Sequence, residues 1–104
     1  MTFEREETGY AKMAISDLQG AWKVLRDQVV EEFGFEASDR LLFHIDEAMS
    51  WECVRALNTM KPLILVIDNI ARQSDASAEI IELVEDVREN YDGALEAIAE
   101  GKAF

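Results

Sequence analysis

The chain has 104 residues, with 22 acids against 10 bases, a formal net charge of −12 and a pI near 4.3. It lacks the Lys and Arg clusters that phosphate contacts need, which argues against direct nucleic-acid binding and against an anionic membrane surface, and leaves a basic protein surface as the natural complement. Hydrophobic residues make up 49% of the sequence, enough for the core of one domain over residues 1–104 and too many for a disordered chain.

Cys53 is the single cysteine, so no intramolecular disulfide forms, and its setting among Met49 and Ala56 reads as a small buried hydrophobe. No apolar run follows a basic start, and the longest apolar run, Leu63 to Ile67, is too short to span a bilayer. A reduced, cytoplasmic protein is the expectation.

In chain order, the first helix is predicted over about Thr8 to Phe33. Ala11, Ile15, Leu18, Trp22, Leu25 and Val29 alternate steps of four and three, a bundle seam that Ala14 and Ala21 widen. Gly34 ends it, because glycine tolerates the left-handed conformation past a helix C-terminus, and Phe35 folds back on the last turn. Gly20 marks either a close crossing or nothing.

Ser38 is the expected N-cap of a second helix, with Asp39 in its first turn, reaching Thr59 or Met60. Leu42, Ile45, Met49, Cys53 and Ala56 form one apolar side. Phe43, Trp51, Val54 and Leu57 form another, which points to a central helix or a homodimer interface on those four residues. The run Lys61–Arg72 fits a buried strand after proline, or a short helix with Pro62 in its first turn; the absence of a second strand favours the helix. Ser74 and Ser77 offer caps for a last helix over about Ala76 to Glu100, unless it continues the third as one bent helix. The fold class is all-α: a small antiparallel helical bundle of three long helices plus one short.

Leu41–Glu47 and Leu63–Asp68 imitate the acid-bearing strand of nucleotide hydrolases, but no Gly-rich phosphate loop accompanies them. Lone His44 offers nothing for a zinc site or triad, and reads as structural. The carboxylates Glu79, Glu82, Glu85, Asp86 and Glu89, with Asp46, Glu47 and Glu52 from the second helix, open an alternative: a metal-dependent all-α nucleotide pyrophosphohydrolase. Direction opposes it, since the acids of the last helix lie opposite its apolar stripe. No catalytic residue, metal or cofactor is assigned.

That stripe of acids is the dominant feature. Residues 73–104 hold nine acids and two bases, a net of −7, whereas residues 41–72 net only −1. At about 100° per residue, Glu79, Glu82, Glu85, Asp86, Glu89, Asp92, Glu96 and Glu100 occupy one side of the last helix, opposite Ile80, Val84, Val87, Tyr91, Leu95 and Ile98. Carboxylates on adjacent turns lie roughly 5–6 Å apart over roughly 30 Å, a scale comparable to the phosphates of a DNA strand. The chain is similar in gross character to small phage-encoded inhibitors of host nucleases and CRISPR complexes, though no motif carries a family match. The expected function is a non-catalytic interaction module whose acidic face mimics nucleic acid toward a basic nucleic-acid-handling complex. The alternative outside enzymology is a homo-oligomeric structural or regulatory subunit.

Overall fold

The computed structural model describes the backbone of residues 2–53 and 57–101 and the side chains of residues 14–50 and 59–99. Four α-helices account for nearly all of it: α1 (Thr2–Glu31), α2 (Ser38–Cys53), α3 (Leu57–Gln73) and α4 (Ala78–Gly101). Each helix packs against two others, α1 and α3 both touching α2 and α4, with no diagonal contact among the described residues. The all-α class follows directly. So does helix rather than strand over Lys61–Arg72. None of the described helices is long and apolar enough to cross a membrane.

The α1 seam is buried as its spacing predicts: Leu18, Trp22, Leu25 and Val29 are fully enclosed, with Ala14 and Ala21 packed beside them. Ile15 is only half-buried, and the side chains of Ala11 and Cys53 lie outside the described residues. Trp22 sits in the core with no acceptor for its indole N–H, a cost of about 1–3 kcal/mol set against the apolar area of the ring. Gly20 faces open space, so no close helix crossing requires it.

Past α1, Phe33 N–H donates to the Val30 carbonyl at 3.2 Å, and Gly34 takes φ +122°. Phe35 packs back on the core, as its position after the glycine predicts. The role of Ser38 differs from the expected cap. Its hydroxyl accepts from Gly34 N–H at 3.1 Å, while the Ala37 carbonyl accepts from Leu41 N–H at 2.9 Å. Ser38 therefore ties the loop together, and Ala37, at φ 68°, absorbs the strain of entering α2.

Within α2 the enclosed residues are Leu41, Ile45 and Ala48, with Leu42 and Met49 on the shoulder. The apolar side thus lies about one residue's rotation from the one predicted through Leu42, Ile45 and Met49. Both patterns share Ile45 and helical spacing, and only tertiary packing separates them. The second helix also ends earlier than predicted, and Thr59 and Met60 belong to α3. Pro62 is consequently the sixth residue of α3 rather than a first-turn residue, where its missing N–H leaves the Asn58 carbonyl without an i+4 donor. In α3 the buried apolar residues are Met60, Ile64, Ile67 and Ala71, while Val66 is exposed.

Residues 74–77 separate α3 from α4, so the two are not one bent helix. Ser77 caps α4 by accepting from Ile80 N–H at 3.2 Å. The same hydroxyl donates to Glu32 at 3.1 Å, and Glu32 also accepts from Gln28, fixing the start of α4 against the end of α1. Ile80, Val84, Val87 and Tyr91 then turn inward, followed by Ala94 and Ala97.

Replacing Pro62 by alanine should raise stability by about 1–3 kcal/mol, several degrees in Tm, by restoring the hydrogen bond to Asn58. Thermal melts followed by circular dichroism check this, and an unchanged or lowered Tm would mean α3 is built around the proline. Burial, then the nearby Asp92, raises the Tyr91 phenol above its ordinary value, against a hydrogen bond with the Lys61 backbone. The folded state therefore keeps that proton to higher pH than the unfolded chain. The resulting stabilisation is complete below the ordinary phenol value of about 10 and is lost as pH climbs through the folded value. Urea titrations across the alkaline range should show a decline that Tyr91→Phe makes shallower.

Candidate interaction surface

All seven α4 carboxylates nominated from the sequence, Glu79, Glu82, Glu85, Asp86, Glu89, Asp92 and Glu96, are exposed, on the side of the helix away from Val84, Val87 and Tyr91. They do not form one uniform row. Glu82, Glu89 and Glu96 repeat every seven residues and mark an outer crest, with steps of roughly 10 Å. Glu85 and Asp92 lean toward α3, and Asp86 leans toward α1.

On the α3 side the acids meet cations. Arg72 donates from Nε to Asp68 at 2.9 Å and from Nη2 to Glu85 at 2.9 Å, while Arg88 reaches the other oxygen of Asp68 at 3.4 Å. Asp68, with a side chain only 12% exposed, is the inner member of this four-residue network. Hydrogen bonds that Arg72 donates to Glu85 and then Asp68 hold its guanidinium above its ordinary value. Glu85 thus belongs to an interhelical network, a role that periodicity along α4 cannot display. Asp92 borders a small cleft with Lys61, Leu65, Arg88 and Tyr91.

On the α1 side the surface gains an acid. Asp17 and Asp86 line one groove of about 310 Å³ with Gly20, Ala21, Val24, Leu83 and Asn90. Ser77 meets Glu32 at the end of α1, and Val24 and Leu83 line this groove further along the two helices. Asp17 belongs to the same acidic surface, and spacing along α4 cannot show it, since its place by Asp86 depends on how α1 packs on α4. Among the described side chains of the crest, Glu82, Glu89 and Glu96 have no ion pair.

The four residues predicted to share one interface face do not share one helix. Phe43 lies on α2, 65% exposed, and Leu57 opens α3; the Val54 position and the side chains of Trp51 and Leu57 lie outside the described residues. Leu57 falls on α3 because α3 turns back beside α2, with Arg40 across a groove from Asn69 and Gln73. His44 is half-buried, edge-on to the Phe43 ring, with Nδ1 3.2 Å from Glu47. Asp46 instead binds Arg26 of α1 at 2.6 Å, with Asp46 raising that guanidinium above its ordinary value. Asp46 and Glu47 are thereby engaged separately. Among the described residues no three His, Cys, Asp or Glu side chains converge as a metal site would need.

Asp68→Ala should destabilise the fold by about 1–2 kcal/mol, because it strips both arginines of their inner acceptor. Glu85→Ala, on the exposed arm of the same network, should change stability near the limit of detection. Urea denaturation of the two variants tests this ranking, and equal losses would place the weight of the network at the surface.

No family model, curated protein or solved structure matches the chain.

Proposed function

We propose that the chain is a non-catalytic protein-interaction module: a small acidic inhibitor, of the phage anti-defence or anti-CRISPR kind, that binds a basic nucleic-acid-handling partner through α4. The observation that carries this reading is the crest itself. Glu82, Glu89 and Glu96 stand exposed and without an ion pair on a helix whose opposite face, from Ile80 to Ala97, packs into the core. Their backbone is held by the core, so little conformational entropy is lost when a partner binds. Asp86 and Asp17 broaden the same surface toward α1.

A surface of this sign steers a basic partner quickly and rejects acidic competitors, with affinity that falls as salt rises. A basic groove built for a phosphate strand presents cations at spacings that the crest can meet over several helical turns. Binding there would block nucleic acid from the groove without any chemistry by the acidic chain. Glu85 contributes less to the reading than the crest, because Arg72 already occupies one of its oxygens.

Affinity purification from the native host, at low and high salt, tests the reading. The wild-type chain should retain a basic nucleic-acid-binding protein at low salt and release it at high salt, and added DNA or RNA should compete. The triple reversal Glu82→Lys, Asp86→Lys, Glu89→Lys should lose that protein while its far-ultraviolet circular dichroism is unchanged. Retention that ignores the reversal, or ignores salt, overturns the electrostatic reading.

A further inference from the structure

We propose that the outward face of α2 and α3 is where a second copy of this chain docks. The α3 part of that face carries no charge, in a protein that is 31% charged. Along α3 the exposed outer row is Pro62, Val66, Asn69 and Gln73, all uncharged. The charged residues of the same helix are turned toward α4: Asp68 and Arg72 bind Arg88 and Glu85, and Lys61 shares a cleft with Tyr91 and Asp92. On α2, Phe43 is 65% exposed, and Val66 in the α3 row is 38% exposed. Phe43 is bordered on its own helix by Asp39, Arg40, Asp46 and Glu47, so the uncharged centre of the face is the α3 row, and depletion of charge is the compositional mark of an interface core.

The occupant follows from charge. A two-fold contact sets one patch against itself, so a patch with a large net charge repels its own copy. Residues 41–72 net −1, against −7 for residues 73–104, so self-contact through α4 is opposed and self-contact through α2 and α3 is not. The face is also self-complementary. Arg40, Phe43 and Glu47 lie at i, i+3 and i+7 and so share one side of α2. A two-fold axis crossing α2 between positions 43 and 44 places each Arg40 opposite the second copy's Glu47, flanking the two Phe43 rings. Among the described residues Arg40 has no ion pair of its own, and the contact supplies one. A groove of about 540 Å³ between the start of α2 and the end of α3, lined by Glu36, Asp39 and Arg40 on one side and by Val66, Ile70 and Gln73 on the other, continues the same face.

Light scattering coupled to size exclusion, at submillimolar concentration, reads the mass directly. The wild-type chain should be a dimer. Val66→Glu and Phe43→Ser, both at exposed positions, should be monomers with unchanged circular dichroism. Arg40→Glu should weaken the dimer by about tenfold or more, and adding Glu47→Arg to it should restore most of the loss. Reversing Glu82, Asp86 and Glu89 to Lys should leave the dimer in place, which separates this contact from the one proposed for α4. A monomeric wild type, a dimer that survives both Val66→Glu and Phe43→Ser, a double swap as weak as Arg40→Glu alone, or a dimer lost on the α4 reversal overturns the proposal.

Discussion

The shortage of cations is the constraint on which the rest of this structure depends. With 10 bases for 22 acids, most carboxylates can have no partner, and where the few arginines are placed decides which acids are paired. Three of them lie between helices. Arg26 joins α1 to Asp46 on α2, while Arg72 and Arg88 join α3 to α4 through Asp68 and Glu85. Arginine suits this use because its planar fork presents several donors at once, and Arg72 holds two carboxylates on two helices by Nε and Nη2. Arginines engaged in this way are not available to the crest of α4. The unbalanced surface is therefore a consequence of how the helices are joined as well as of composition.

Below the charge lies an ordinary apolar core, and its details explain why α4 is firmly held. Trp22 and Leu25 of α1, Ile45 of α2, Ile67 of α3 and Val84 of α4 belong to one buried cluster, so each helix contributes to a shared interior. The Ser77, Glu32 and Gln28 side chains close the α1–α4 end with hydrogen bonds that also cap α4. Glu79 in the first turn of α4 adds a favourable charge to the helix dipole. These terms stabilise one register of α4 on α1, and that register decides which acids flank Asp17.

Elements whose signal is local were legible in the sequence. The α1 seam, the glycine that closes it, the serine cap of α4 and the exposure of the α4 acids all follow from spacing within a few turns. What depends on a second helix was not legible. Leu41–Ile45–Ala48 and Leu42–Ile45–Met49 are equally good helical stripes, and only contact with α1 and α3 selects the first. Ser38 looks like a cap because serine commonly is one, yet Gly34 N–H takes its hydroxyl. Spacing from Phe43 to Leu57 cannot show that the two residues belong to different helices, α2 and α3. The pairing of Glu85 with Arg72 and the approach of Asp17 to Asp86 likewise have no expression along one helix.

The two proposed contacts place opposite demands on the same charge. A dimer through α2 and α3 would leave both α4 crests facing outward, each free for a basic partner, and one partner with two basic grooves would gain from engaging both. The repulsion between two copies at −12 each still opposes their meeting, and helix layers spaced by roughly 10 Å put the crests near or beyond the Debye length of about 8–10 Å at physiological salt. Salt therefore favours the dimer by screening that repulsion and disfavours the basic partner by screening attraction. An uncharged face on α3 and an uncompensated one on α4 are thus two responses to one excess of acid: the first lets copies approach, and the second keeps the charge where a partner of opposite sign can reach it.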